Sequence, residues 1–396
     1  MVELAISEGV DLVAISGDIV DRGNRFFEAF GPLQQGLRQL AEAGIRTVAV
    51  AGNHDFDVLS RLLRTLPADS FQLLGAGGVW ERATVVTARG ERIEVHGWSF
   101  PAEEYPANPM DGYALDADPS LPTLGLLHCD LNVPASRYAP VPEAALRGSR
   151  PGFWLLGHVH QPRLSRARGA ATLLYPGTPQ PLDPGDQGEH GVWIVETEGA
   201  VFTLPRLIPI ATVRYDQVTV DVSGTESVEE VQARIVDAVG SHREVVAAVR
   251  APVQPEYVCC HLFLEGRTRV THREIEERIL PYLGDLDFGA PIRCRIDRVE
   301  LGLRPLVDLE ELSRGGDAPG QLASLLLRLE RSAADPEIAR LLEMVAEEAE
   351  RVAASSAYAP LRAAPDGAPP LPPPEQVLRR QAYRLLEELI AQKEMA

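Results

Sequence analysis

Short runs of Val, Ile and Leu recur along the first half of the chain, and Gly, Asp or Asn bounds each run. The clearest are residues 12–16, 47–51, 123–127, 153–156 and 172–175. Because these runs are short and almost continuously apolar, they predict strands that are buried on both faces. Between the first two, residues 26–43 place apolar side chains at helical spacing before Gly44. Residues 1–205 are therefore predicted to form an α/β domain.

The pattern changes after residue 205 to longer alternating strands and two amphipathic helices. The segments 213–222, 228–239, 258–265, 272–283 and 293–303 predict the order β-α-β-α-β. We therefore expect a second, α+β domain at residues 206–305 and a helical region at 306–358. A Pro-rich linker at 359–374 and an amphipathic helix at 375–396 follow. The apolar face of that helix either packs on this chain or binds a partner.

Composition limits the class of protein. With 396 residues, 45% hydrophobic and 24% charged, the chain can bury a sizeable core and is neither disordered nor a small disulfide scaffold. Its net charge of −19 is unlike that of a free-standing nucleic-acid binder. If the substrate is a polyanion, metal ions or a partner must therefore help to hold it.

The cysteines and the apolar segments indicate the compartment. The four cysteines form no Cys-x-x-Cys pair, which favours a reducing environment. The first eleven residues lack the basic segment of a secretory signal, and no stretch approaches 18 uncharged apolar residues. We predict a cytoplasmic protein with no membrane association.

Polar residues of one chemical type follow four of the predicted strands. These are Gly17-Asp18, then Gly52-Asn53-His54-Asp55, then His128, and then Gly157-His158-Val159-His160. Open α/β sheets bind ligands at the carboxyl ends of their strands, so these side chains are expected to converge. Carboxylate, amide and imidazole ligands together suit Mn, Fe or Zn. The sequence therefore predicts a metal site.

In this order the motifs resemble the calcineurin-like metallophosphoesterase superfamily over roughly residues 1–205. The surroundings are most similar to the SbcD/YhaO-type DNA repair exonucleases, on segments 126–128, 137–140, 175–182 and 188–193. The resemblance implies a four-layer α-β-β-α sandwich, with residues 206–305 as a capping domain. It also implies two divalent metal ions, most commonly Mn, that promote hydrolysis of a phosphodiester.

The resemblance also assigns roles to individual residues. Asp18 would bridge the two metals, and His160 would bind the first. The second metal would be completed by Asn53, His128 and His158. His54 would lie beside the scissile phosphate and protonate the leaving oxygen, and Asp55 would orient His54. Three arginines follow His160, namely Arg163, Arg166 and Arg168; they either bind substrate phosphates or belong to an exposed Arg-rich hairpin.

One family motif, Asp-x-His, has no counterpart before Asp18. The first metal would then keep only Asp18 and His160. Residues 1–9 are similar to the end of the helix that follows this motif in the family. We therefore expect a start codon upstream of Met1; the other interpretation is a true loss of the motif.

By resemblance the substrate is DNA and the partner is an SbcC-like coiled-coil ATPase, which would bind the helical region after residue 306. A homodimer is also implied. Two other functions remain open from the sequence. One is hydrolysis of small phosphoesters, and the other is a non-catalytic scaffold that has lost the first metal site.

Overall fold

The structure is a computed structural model that describes residues 1–21, 29–62, 71–285, 292–331, 335–358 and 371–395. The chain divides into two compact units. The first comprises residues 1–215 and 249–257, and the second comprises residues 216–248 and 258–396.

Two sheets form the centre of the first unit. One contains three parallel strands in chain order, β1 (Leu12–Ile15), β2 (Arg46–Ala49) and β3 (Phe71–Leu73). The other is mixed, with strand order β10-β11-β9-β6-β5-β4. Its strands are β4 (Glu81–Val86), β5 (Arg92–Trp98), β6 (Thr123–His128), β9 (Phe153–Gly157), β10 (Arg163–Ser165) and β11 (Thr172–Tyr175).

Helices and short strands complete this unit. The helices are α1 (Val2–Glu8), α2 (Phe30–Glu42), α3 (Leu59–Leu62) and α4 (Glu143–Arg147), with a 3₁₀ turn at Pro109–Gly112. The short strands are β7 (Asp130–Leu131), β8 (Pro140–Val141), β12 (Gly191–Ile194), β13 (Thr197–Glu198), β14 (Val201–Phe202) and β15 (Arg206–Pro209).

Alternating side chains of the central strands fill two separate cores. On β9, Phe153 and Leu155 pack toward the three-stranded sheet, whereas Trp154 and Leu156 pack on the opposite face. Because successive side chains of a strand point to opposite faces, both faces must be apolar. Leu37 of α2 covers the outside of the first sheet, and Leu146 of α4 contributes to the outer core of the second. The predicted α/β class and its four layers are therefore observed.

The second unit has the predicted order β-α-β-α-β. It contains β16 (Val213–Asp221), which begins in the first unit, α5 (Val228–Ala248), β17 (Tyr257–Thr268), α6 (His272–Arg278) and β18 (Arg293–Pro305). The three strands form one sheet in the order β16-β17-β18. A 3₁₀ segment, Leu280–Asp285, follows α6. Val231, Ile235 and Val239 repeat at helical spacing along α5 and pack on this sheet.

Helices follow the sheet. They are α7 (Leu309–Leu312), α8 (Ala318–Arg331), α9 (Pro336–Ala354), a 3₁₀ turn at Ser356–Tyr358, and α10 (Pro374–Met395). Ala382, Tyr383 and Leu386 of α10 are buried against Leu326 of α8. Of the two possibilities for the terminal helix, packing on its own chain is the one observed. Residues 359–370 of the predicted linker lie outside the described residues.

The strand predictions differ from the structure by at most three residues at their ends. The helix expected at residues 26–43 is observed as α2, Phe30–Glu42, and residues 26–28 lie outside the described part of the chain. Among the described helices, none combines the length and apolar composition that a membrane crossing requires.

Candidate metal centre

Strands from both sheets of the first unit bring the predicted ligands together. Asp18 follows β1, Asn53 follows β2, His128 ends β6 and His158 follows β9. Within the described residues, one group of three side chains could hold a metal ion. It consists of Asp18, His128 and His158, whose ligand atoms all lie within 4.8 Å of one another.

Asn53 lies beside this group and could supply a fourth ligand. Its Oδ1 lies 2.9 Å from Nε2 of His128, and the same nitrogen lies 3.1 Å from Oδ2 of Asp18. Nδ1 of His128 donates to the carbonyl oxygen of Ser16 at 2.9 Å, which leaves the lone pair of the neutral ring on Nε2. An imidazole lone pair and two oxygens therefore face one another, and a divalent cation between them satisfies all three. This donor set fits the metal that the sequence predicts.

The backbone at the centre is strained in a way that only a few residues tolerate. Asp18 has a φ of 53° and His158 a φ of 93°, both in the region that favours glycine. Such conformations persist where the surrounding structure holds them, typically at functional sites. Here they turn the side chains of two strand ends toward a common point.

Glycines leave room for the ligands. A Cβ on Gly52 would lie 2.1 Å from Oδ1 of Asp18, and one on Gly157 would lie 2.4 Å from Nδ1 of His128. No larger residue fits at either position without moving a ligand. The Gly-Asn-His-Asp and Gly-His-x-His motifs therefore begin with glycine for a steric reason.

The charges of the centre are coupled. Burial alone would raise the pKa of Asp18, but the imidazole of His128 and the backbone N–H of His54 hold it at about 2. Burial alone would lower the pKa of His128, but the Asp18 carboxylate raises it. Burial and the neighbouring charge of Asp18 raise the pKa of Asp55 to about 6. Negative charge therefore concentrates on Asp18, where a cation binds best.

The surroundings of His54 differ from the sequence prediction. Asp55, expected to orient His54, is fully buried and accepts backbone hydrogen bonds from Ile19 and Gly52, both at 2.7 Å. The carboxylate near His54 is that of Asp21, with Oδ1 3.2 Å from Nδ1. Asp55 thus ties together the loops after β1 and β2. Asp21, rather than Asp55, contacts the Nδ1 edge of the His54 ring.

Asp130 is a residue of the centre that sequence reasoning missed. Its Oδ1 lies 3.4 Å from Nε2 of His158, and Ser136 donates to its other oxygen. Burial would raise the pKa of Asp130, but hydrogen bonds from His158 and Ser136 hold that pKa below its usual range. The signal was present in the sequence: Asp130 lies two residues after His128, so in extended chain both side chains point the same way.

His160 lies outside the group of three ligands. Its Nδ1 is 3.6 Å from Oδ2 of Asp186, a buried carboxylate that also accepts a hydrogen bond from the backbone of Leu182. Asp186 lies outside every sequence motif named above. His160 and Asp186 therefore form a separate pair of imidazole and carboxylate. The ligands predicted for the second metal, in contrast, lie close together.

The three candidate arginines lie along the edge strand β10 and the turn after it. All are exposed, and within the described residues none forms an ion pair. Because β10 is antiparallel to β11, with Arg163 opposite Tyr175, Arg163 lies at the strand end nearest the ligands. Arg166 lies about 10 Å farther along the chain and Arg168 farther still. Of the three arginines, Arg163 therefore lies nearest to the candidate metal ligands, and Arg166 and Arg168 lie farther away.

The first unit is similar to known proteins over much of its length. The family model for calcineurin-like phosphoesterases matches residues 1–162. The uncharacterized metallophosphoesterase YhaO of Bacillus subtilis (strain 168) is 27% identical over 198 residues, 49% of this chain and 47% of YhaO. The chain therefore spans about half the length of that relative.

A second relative aligns with most of the chain. The DNA double-strand break repair protein Mre11 of Methanopyrus kandleri is 24% identical over 363 residues, covering 86% of this chain and 78% of Mre11. The crystal structure of TT1561 of Thermus thermophilus covers 44% of this chain and 80% of its own, with 16% identity and a TM-score of 0.26. Residues 1–162 of this chain are therefore similar to the calcineurin-like phosphoesterase family, and the strand ends of this segment carry the side chains that could hold a metal ion.

Proposed function

We propose that this protein is a metal-dependent phosphodiesterase that hydrolyses DNA. The observation that carries the proposal is the convergence of Asp18, His128 and His158, with Asn53 beside them, at the carboxyl ends of strands from two sheets. This donor set favours Mn²⁺, with Fe²⁺ or Zn²⁺ as alternatives. By resemblance to the family, these residues would hold the second metal, and Asp18 and His160 would contribute to the first.

A divalent cation held by these residues would polarise a phosphoryl oxygen and make a water molecule more acidic. The residues of the chain supply the remaining steps. His54 is one-third exposed, so substrate can reach it. Because Nδ1 of His54 donates to Asp21, its Nε2 can carry a proton to the leaving oxygen. Asp130 keeps His158 oriented in the same way.

DNA is favoured over small phosphoesters for two reasons. Arg163 is an exposed cation at the end of the sheet that holds the ligands, where it can bind a phosphate flanking the scissile one. The alignment with Mre11 extends over both compact units rather than over the phosphoesterase domain alone. A role of residues 206–305 as a cap stays a prediction.

The test uses the full chain with Mn²⁺ and two substrates, a labelled linear DNA duplex and bis(p-nitrophenyl) phosphate. We expect both to be hydrolysed, and chelation to abolish both activities. His54→Gln should lower the rate on DNA by about 10²–10⁴-fold. It should lower the rate on the nitrophenyl diester much less, because p-nitrophenolate leaves without protonation.

His261→Gln, in the second unit, is the matched control and should behave like the wild type. Equal losses on both substrates would contradict the proton-donor role of His54. Hydrolysis of small cyclic diesters without cleavage of DNA would instead favour the small-phosphoester function. Failure to bind any divalent metal would favour the scaffold.

We also propose that an SbcC-like coiled-coil ATPase binds the helical region, in the cytoplasm, and that two copies of the chain pair. The support is that Met344 of α9 and Leu385 of α10 are large apolar side chains with 55% and 47% of their surface exposed. Met344→Glu and Leu385→Glu should abolish binding of the ATPase while metal binding persists. Sedimentation velocity tests the dimer.

A further inference from the structure

A cavity of about 640 Å³ lies within the second unit, between strands β17 and β18 and the terminal helix α10. This volume is typical of sites for small organic ligands. None of its lining residues belongs to the metal centre. It therefore requires its own explanation.

Arginines dominate the polar lining of the cavity. Four arginines line it together with two carboxylates, namely Arg267, Arg304, Arg379 and Arg380 with Asp221 and Glu265. The lining is thus net positive in a chain whose net charge is −19. Like charges held together in this way repel one another, and an anion between them removes that repulsion.

These arginines are only partly neutralised by their neighbours. Arg379 pairs with Glu375 at 2.5 Å, and Arg380 lies 3.8 Å from Glu300. Within the described part of the chain, Arg267 and Arg304 form no ion pair with a carboxylate. The buried Nε of Arg379 likewise has no hydrogen-bond partner there. Unused donors of guanidinium groups match the oxygens of a phosphate.

Apolar and aromatic side chains form another part of the wall. The ring of Phe263 packs on Gly302, where a Cβ would lie 2.8 Å from the ring. The buried ring of Tyr383 is fixed by a hydrogen bond from its hydroxyl to Glu330 at 2.7 Å, and the guanidinium of Arg304 lies 5.9 Å from its centroid. A ligand with both a phosphate and a planar ring matches this combination.

We propose that this cavity binds a nucleoside phosphate, and we call it the arginine pocket. The phosphate contacts Arg267 and Arg304, and the base lies against the apolar wall that includes Phe263. The same chemistry is offered by a free nucleotide and by the terminal nucleotide of a DNA strand. The proposal concerns a binding site and does not depend on hydrolysis at the metal centre.

The test is isothermal titration calorimetry on the full chain in EDTA, so that no metal-bound site contributes. The probes are deoxyadenosine 5′-monophosphate, inorganic phosphate and a 5′-phosphorylated single-stranded octanucleotide. We expect the mononucleotide to saturate one site per chain and inorganic phosphate to bind more weakly, because it lacks the ring. Arg267→Gln and Arg304→Gln should each weaken nucleotide binding by about tenfold or more.

Arg273→Gln is the matched control, since Arg273 is an exposed arginine of α6 outside the pocket. It should bind nucleotide like the wild type. Arg267 is exposed, so its replacement tests binding without disturbing the core. Tighter, Arg267-dependent binding of the octanucleotide identifies a strand end as the ligand, and equal binding identifies a free nucleotide. Absence of binding by both nucleotide probes, or binding indifferent to Arg267→Gln, overturns the proposal.

Discussion

The carboxylate of Asp130 lies 3.4 Å from Nε2 of His158, and this pair fixes the orientation of one of the three clustered ligands. Both side chains are largely buried, with 19% and 13% of their surfaces exposed. A carboxylate in this position holds the ring and increases its basicity as a ligand. We therefore expect the pair to influence metal affinity, although Asp130 lies outside the group of three.

Replacing Asp130 with Asn should weaken Mn²⁺ binding by about 10–100-fold, because the amide holds the His158 ring less well. Calorimetric titration of Mn²⁺ into the metal-free protein measures the effect. Asp237→Asn, on an exposed position of α5, removes the same charge elsewhere and should leave the affinity unchanged. An unchanged affinity in the Asp130 variant would show that His158 needs no such support.

Adding one methyl group at Gly52 should disrupt the same centre. The new Cβ would lie 2.1 Å from Oδ1 of Asp18, so either the carboxylate or the loop must move. Overpacking of this kind typically costs about 1–3 kcal/mol. We expect Gly52→Ala to lower both Mn²⁺ affinity and thermal stability.

Gly112→Ala is the control for that experiment, because no atom lies within 4 Å of the added Cβ. It should bind Mn²⁺ normally. If Gly52→Ala also binds Mn²⁺ normally, Asp18 is not a ligand in the position described.

A buried contact attaches the terminal helix to α6. The carboxylate of Glu387 accepts from both the backbone N–H and Nδ1 of His272, at 3.1 and 2.7 Å. Glu387→Ala leaves these buried donors without an acceptor, which should reduce the free energy of unfolding by about 1–3 kcal/mol. Urea denaturation measures the loss.

Glu387→Gln retains an oxygen acceptor and should lose less stability. Glu388→Ala, an exposed neighbour, should have little effect. Similar midpoints for Glu387→Ala and the wild type would mean that the contact contributes nothing.

The ion pair between Arg328 and Asp335 predicts a pH dependence. Hydrogen bonds from Arg328 lower the pKa of Asp335 to about 2, so folding favours the ionised carboxylate. The stabilisation is therefore fully present above the unfolded pKa of about 3.9 and is lost as the pH falls through about 2. The melting temperature of Asp335→Asn should lie below that of the wild type at neutral pH.

The melting temperatures of Asp335→Asn and the wild type should become equal near pH 2. High salt should reduce the difference between them at neutral pH, because the ion pair is exposed. A constant difference across this pH range would assign the effect to the helix cap that Asp335 also provides for α9, rather than to its charge.

Much of the fold could be predicted because its signals are local. Val231, Ile235 and Val239 repeat at helical spacing, and the apolar run at residues 153–156 is short and uninterrupted. Periodicity of this kind follows from helix and strand geometry alone. The ends of the helices and strands were less predictable, because turns and neighbouring strands decide where the backbone hydrogen bonds of each element stop.

The sequence by itself determined the fold class, the types of ligand and the strand ends that carry them, since each depends on residues close together in the chain. Only the tertiary structure decided which side chains meet. It brought His158 to Asp130 and His54 to Asp21, and left His160 outside the group of three beside Asp186. The arginine pocket likewise exists only where α10 packs against β17 and β18. These contacts depend on strand register and on packing between distant segments, which local periodicity does not encode.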